Sequence, residues 1–128
     1  MTTKVQIIED NDLNIDVLRG VLRVFDVDLE VARDGPTGLE RARVRPPDLL
    51  LLDLQLPGID GETILTTLRS DPALKDLAIV VVTAKAMKGE REKVLDLGAN
   101  HYITKPIDVV EFREVLSQYL QRRPRGNS

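Results

Sequence analysis

The sequence has no cysteine, no tryptophan and a single histidine, and aromatic residues make up only 3% of it. Without cysteine there are no disulfides, no thiolate metal sites and no thiol nucleophile, a composition at home in a reducing cytosol. His101 has no acidic or histidine neighbour at ligand spacing, so it reads as a surface histidine or one satisfied within the fold. The scarcity of aromatics leaves the core to Leu, Val, Ile and Ala. Long apolar runs are missing too, and no stretch approaches the roughly 20 residues that cross a bilayer. Met1-Thr2-Thr3-Lys4 leads straight into a strand-like segment, not into the apolar region of a secretion signal. There is no excess of positive charge either. The 18 Lys and Arg residues face 21 Asp and Glu, and the net charge of −3 argues against nucleic-acid binding through a basic surface. These absences lead to the expectation of a cytoplasmic protein that binds neither DNA nor membrane.

What is present fits one globular domain. A chain of 128 residues with 42% hydrophobic and 30% charged residues can bury a core without covalent staples. Short apolar runs at 5–8, Val27–Ala32, Leu49–Leu52 and 79–82, with a weaker one at 101–103, read as strands. The third and fourth are apolar at every position, as expected of parallel strands covered on both faces. Between them lie segments of helical spacing. Val17, Leu18, Val21, Leu22 and Phe25 form one stripe, and Leu39 with Ala42 a weaker one that stops before Pro46-Pro47. Ile64, Leu65 and Leu68 follow Gly61, and the charged segment 87–97 stops at Gly98, a candidate C-cap. A last stripe runs from Val109 through Phe112, Val115 and Leu116 to Leu120, with Asp108 and Glu111 placed as a capping box. Five strands alternating with five helices imply a parallel sheet with right-handed crossovers, in an α/β, doubly wound architecture. A closed barrel of this kind would need about twice the residues.

In such a sheet, ligands meet the carboxyl ends of the strands. The residues that follow the apolar runs are Glu9-Asp10, Asp53, Thr83 and Lys105-Pro106. Three carboxylates, a hydroxyl and a lysine therefore gather at one edge. Carboxylates within a few Å repel, and one would take up a proton unless a cation sat among them. All-oxygen ligands select a hard ion, Mg²⁺, which keeps several waters and often a substrate phosphate. An ionised Asp beside Mg²⁺ and an ammonium can take a phosphoryl group as an aspartyl-phosphate.

These residues lie in a connected text. It runs Ile8-Glu9-Asp10-Asn11, then Leu52-Asp53-Leu54-Gln55-Leu56-Pro57-Gly58-Ile59-Asp60-Gly61, then Val82-Thr83-Ala84, then Tyr102-Ile103-Thr104-Lys105-Pro106. It resembles the receiver domains of response regulators, of the chemotaxis-regulator-like kind. The stretch Thr83-Ala84-Lys85-Ala86-Met87-Lys88-Gly89 is similar to stand-alone receivers of the cell-division regulator type. The resemblance implies a flavodoxin-like, five-stranded parallel sheet of order 2-1-3-4-5 with helices on both faces. It implies a receiver domain over residues 1–121, and the basic residues after it, 122–128, read as a disordered tail. Asp53 becomes the phosphoacceptor. Glu9, Asp10, Asp53 and the main-chain carbonyl of Gln55 become the holders of Mg²⁺, Asp10 directly and Glu9 through water. Thr83 and Tyr102 become a switch pair in which Tyr102 swings inward, Lys105 contacts the phosphoryl group, and the Lys105–Pro106 bond is cis. Gln55 and Lys85, two residues beyond Asp53 and Thr83, tune the lifetime of the phosphoryl group.

The implied partners are a sensor histidine kinase or phosphotransfer protein as donor and a downstream effector protein. The implied state is a monomer or a homodimer through the face of helix 4, strand 5 and helix 5. On that face Lys88, Glu90, Arg91, Glu92 and Lys93 read either as a solvated charged surface or as partner contacts. The expected role is a single-domain response regulator in a phosphorelay, a signalling protein with at most slow self-dephosphorylation. One alternative is an interaction module independent of phosphorylation. Another is an aspartate-nucleophile phosphatase, which wants a second acid where this sequence has Gln55. A nucleotide- or flavin-binding module would want a glycine-rich loop where Glu9-Asp10-Asn11-Asp12 stands.

Overall fold

A computed structural model describes residues 2–56, 58–84 and 87–123. Five strands, β1 (Thr3–Ile8), β2 (Val27–Ala32), β3 (Leu49–Leu52), β4 (Ala78–Thr83) and β5 (His101–Thr104), form one parallel sheet of order 2-1-3-4-5. Five helices connect and follow them: α1 (Asp12–Leu22), α2 (Gly35–Val44), α3 (Gly61–Ser70), α4 (Glu90–Asp96) and α5 (Val109–Leu116). No helix among the described residues is long and apolar enough to cross a membrane.

The uninterrupted apolar strands follow from the two-sided core. Successive side chains of a strand point to opposite faces. Leu50 and Leu52 of β3 pack with Ile79 and Val81 of β4 against Leu39 of α2, Ile64 and Leu65 of α3, and Val94 of α4. Leu49 and Leu51 face the other way, with Val80 and Val82, against Leu18 and Leu22 of α1 and Phe112 and Leu116 of α5. Four helices start on side-chain caps, which supply acceptors for N–H groups that no earlier turn can satisfy. Asn11 accepts from Asn14 N at 3.0 Å, Asp34 from Thr37 N at 2.8 Å and Asp60 from Thr63 N at 2.9 Å. Asp108 accepts from Val110 N and Glu111 N at 3.0 and 3.2 Å.

Element ends depart from the apolar stripes in three helices. The stripe of α1 continues to Phe25, but the helix stops at Leu22, and Phe25 joins Arg122 in an isolated antiparallel bridge. Helix α4 begins at Glu90 and not at 87, because Gly89 turns the chain at φ +83°. Helix α5 ends at Leu116, and a turn carries Leu120 into the core. A short 3₁₀ turn, Pro72–Leu74, precedes β4. At the C-terminus Asp26 N donates to Gln121 O and Arg123 N to Val24 O, each at 2.9 Å, and Arg123 Nε donates to Phe25 O at 3.0 Å. These bonds hold Arg122 and Arg123 against the α1–β2 turn, two residues past the boundary expected at 121. The rest of the expected tail, 124–128, lies outside the described residues.

Candidate functional site

Strand register builds the site. Ile8 pairs with Leu52, so the next residues, Glu9 and Asp53, leave the sheet side by side. Asp53 N donates to Ile8 O at 3.1 Å, which fixes that exit. On the far side Thr83 pairs with Thr104, and Lys105 N donates to Thr83 O at 2.9 Å. Lys105 is thereby returned to the acids although it lies 96 residues from Glu9 in sequence. The peptide bond from Lys105 to Pro106 is cis.

Glu9 is 1% exposed and Asp53 6%, while Asp10 is exposed. One carboxylate oxygen from each of the three lies within 4.8 Å of the others. Lys105 Nζ sits 2.7 Å from Glu9 Oε1 and 3.4 Å from Asp53 Oδ2. One ammonium among three carboxylates leaves the cluster with excess negative charge, and the donors are all hard oxygens. That set fits a divalent cation such as Mg²⁺. Main-chain N–H groups orient the acids further. Gln55 N donates to Asp53 Oδ1 at 2.9 Å, and Asp10 N and Asn11 N donate to Glu9 Oε2 at 3.1 and 3.2 Å. Both oxygens of Glu9 are thus engaged by the chain itself. A cleft of about 540 Å³ opens over the group, walled also by Asn11, Asn14, Gln55, Ala84 and Pro106.

The remaining expected residues take different positions. Thr83 is fully buried at the end of β4, and the following residue, Ala84, reaches the cleft wall. Tyr102 is turned inward, 6% exposed, and its hydroxyl donates to Oε1 of Glu90. Burial, then the Glu90 carboxylate, push the ionisation of this phenol well above its ordinary range. Lys85 lies outside the described residues. His101 meets Tyr119, with Nε2 2.9 Å from the hydroxyl, and so is satisfied within the fold. In the sequence alone Asn11 and Asn14 carry no assigned role, and Glu90 stands among the charges of its helix. The i, i+3 spacing of the asparagines is the one signal that places them on the same helix start. Nothing local distinguishes Glu90 from Glu92.

A sheet of order 2-1-3-4-5 with acids after β1 and β3 and a lysine after β5 defines a class. The chain belongs to the family of response regulator receiver domains, whose model matches residues 5–117. It is a receiver-domain response regulator of two-component signalling and, like its family, a signalling protein. Among particular relatives it is 38% identical over 120 residues to the polar-differentiation response regulator DivK of Brucella ovis, across 94% of this chain and 98% of DivK. Among solved structures it is similar to the receiver domain of sensor histidine kinase PA1611 from Pseudomonas aeruginosa PAO1. That domain carries a magnesium ion coordinated in its active-site cleft; the TM-score is 0.82 and the identity 28%, over 93% of this chain and 98% of that one. The phosphorylated cyanobacterial phytochrome response regulator RcpA matches with a TM-score of 0.79 and 29% identity, over 92% and 91% of the two chains.

Proposed function

We propose that Asp53 accepts a phosphoryl group from a phosphohistidine of a sensor kinase or phosphotransfer protein. The observation that carries this reading is the placement of Asp53: a buried carboxylate aimed by Gln55 N, facing Lys105 and sharing one acidic cluster with Asp10. A carboxylate oxygen of Asp53 attacks phosphorus, an O–P bond forms as the P–N bond breaks, and the imidazole leaves with the electron pair. Lys105 Nζ stands close enough to follow the charge that builds on the phosphoryl oxygens. Mg²⁺ would be held by Asp10, Asp53 and the carbonyl of Gln55, with Glu9 acting through water, and when bound it neutralises charge on the transferring group. Thr83 donates its hydroxyl to the phosphorylated acid. Gln55 and Lys85 set the rate at which water removes the phosphoryl group, so that any turnover is slow self-dephosphorylation. The output is a changed surface at α4, β5 and α5, read by an effector protein or by a second copy of the chain. We place the protein in the cytoplasm, where such donors present their phosphohistidines.

Incubation with acetyl phosphate and Mg²⁺, and separately with a phosphorylated histidine kinase, tests the reading. Wild type should incorporate one hydroxylamine-labile phosphoryl group, and Asp53→Ala none. Equal labelling of the two proteins would overturn the assignment of Asp53. A wild type that stays unlabelled would favour the interaction module independent of phosphorylation.

A further inference from the structure

Glu90 opens α4 beside Arg91, Glu92 and Lys93, yet it alone of the four is buried, at 9% exposure. Among the described residues, one partner of its carboxylate is the hydroxyl of Tyr102 on β5. Removing a carboxylate from water is costly unless a donor meets it, and an O–H donor to an ionised acceptor makes one of the stronger hydrogen bonds. The phenol keeps its proton, because its ionisation is displaced upward by burial and by Glu90. One turn further on, α4 is tied again, Lys93 Nζ lying 2.8 Å from Glu62 Oε1 on α3. In that second tie the Lys93 side chain is mostly exposed and Glu62 is partly buried. The Glu90 bond thus joins the first turn of α4 directly to the strand that leads into Lys105.

We propose that Glu90 is a positioning residue: its carboxylate holds Tyr102 inward and makes β5 and the start of α4 move as one unit. A displacement of Thr83 or Lys105 by a phosphoryl group then reaches the α4 face through this bond. The coupling part rests on the phosphoacceptor reading above; the Tyr102 part does not.

The test uses the full chain labelled with 3-fluorotyrosine and with ¹⁵N, as wild type, Glu90→Ala, Glu90→Gln and Tyr102→Phe, each with and without beryllofluoride and Mg²⁺ as a phosphoryl mimic. Without the mimic, Glu90→Ala should shift and broaden the ¹⁹F resonance of Tyr102 while that of Tyr119 stays put. Glu90→Gln, whose amide oxygen still accepts, should stay near wild type. With the mimic, amide shifts near Asp53 and Thr83 should appear in every variant. Shifts in α4 should appear in wild type and Glu90→Gln and be lost in Glu90→Ala and Tyr102→Phe. Should Glu90→Ala fail to fold, Tyr102→Phe removes the same bond from its other end. A Tyr102 resonance indifferent to Glu90→Ala overturns the positioning role. An α4 response that survives in both Glu90→Ala and Tyr102→Phe overturns the coupling. A wild type with no amide shift near Asp53 instead counts against the phosphoacceptor reading and leaves the Tyr102 measurement standing.

Discussion

At the scale of single residues, the adjacent acids Glu9 and Asp10 do different work. They are consecutive in sequence, where only the family resemblance separates Asp10 as a direct holder of the ion from Glu9 acting through water, and the chain turns between them. Glu9 goes inward, where Lys105 Nζ and two main-chain N–H groups occupy its oxygens. Asp10 stays exposed at the cleft with its carboxylate available. The two should therefore separate in a metal titration. Asp10→Asn is expected to weaken Mg²⁺ binding by on the order of tenfold or more, about 1.4 kcal/mol per factor of ten. Glu9→Gln should weaken it less, and should instead disturb Lys105, seen as a shift of its Nζ resonance. Calorimetric or NMR titration of the two variants decides. A larger loss in Glu9→Gln would make Glu9 the principal ligand. Which of two neighbouring acids faces solvent was not legible in the sequence, because it depends on a lysine that arrives from the far end of the chain.

At the scale of elements, caps and glycines decide where helices start and stop, and two of them give measurable expectations. Asp60 caps α3 through Thr63, its N–H at 2.9 Å and its hydroxyl at 3.0 Å, and these bonds hold the carboxyl below its ordinary value. A carboxyl lowered in the folded state stabilises most above its unfolded value, near pH 4, and loses that contribution as pH falls through the folded value. Asp60→Ala should cost about 1 kcal/mol at neutral pH, as such caps do. The gap from wild type should narrow as thermal unfolding is repeated at pH values falling further below the unfolded value. A gap that does not depend on pH would mean the ionised cap contributes nothing.

Gly98 ends the turn after α4 at φ +118°, and a Cβ built there would lie 2.6 Å from Cγ of Arg69. Arg69 cannot simply withdraw. Its Nε donates to Gly98 O at 2.8 Å and its Nη2 to Asn100 Oδ1 at 3.0 Å, and Asn100 Oδ1 also accepts from Ile79 N at the start of β4. Gly98→Ala is expected to cost about 2 kcal/mol, from backbone strain and displacement of Arg69 together. Denaturant unfolding measures it, and a loss within error of zero would show that the turn relaxes freely. The glycine stop after α4 was legible in sequence, since Gly at that position is a common helix end. The start of α4 was not. The apolar and charged spacing runs on through Met87, and only the positive φ of Gly89 marks the break.

At the scale of the whole molecule, the legible and illegible parts separate by a physical rule. Runs such as Leu49–Leu52 must be apolar because both faces of the sheet are covered, so topology is written into composition along the chain. The acids and the lysine at the strand ends were equally legible, since parallel strands bring their carboxyl ends to one edge. The Glu90–Tyr102 bond was not, because burial of a charged helix residue is a product of packing and not of spacing.

The same edge bears on stability. The chain carries a net charge of −3, and much of it is concentrated where Glu9, Asp10 and Asp53 converge around one Lys105. Folding gathers that repulsion, and a bound divalent cation relieves it only in the folded state. At free Mg²⁺ a hundredfold above its dissociation constant, linkage adds about 2.7 kcal/mol to folding. Monovalent salt at matched ionic strength should add far less, since screening reaches the exposed Asp10 but scarcely the buried Glu9 and Asp53. Thermal unfolding of wild type in MgCl₂ and in NaCl of equal ionic strength should therefore give clearly different midpoints, and in Asp10→Asn the difference should shrink. Equal midpoints in the two salts would mean that the cluster is merely screened and holds no ion.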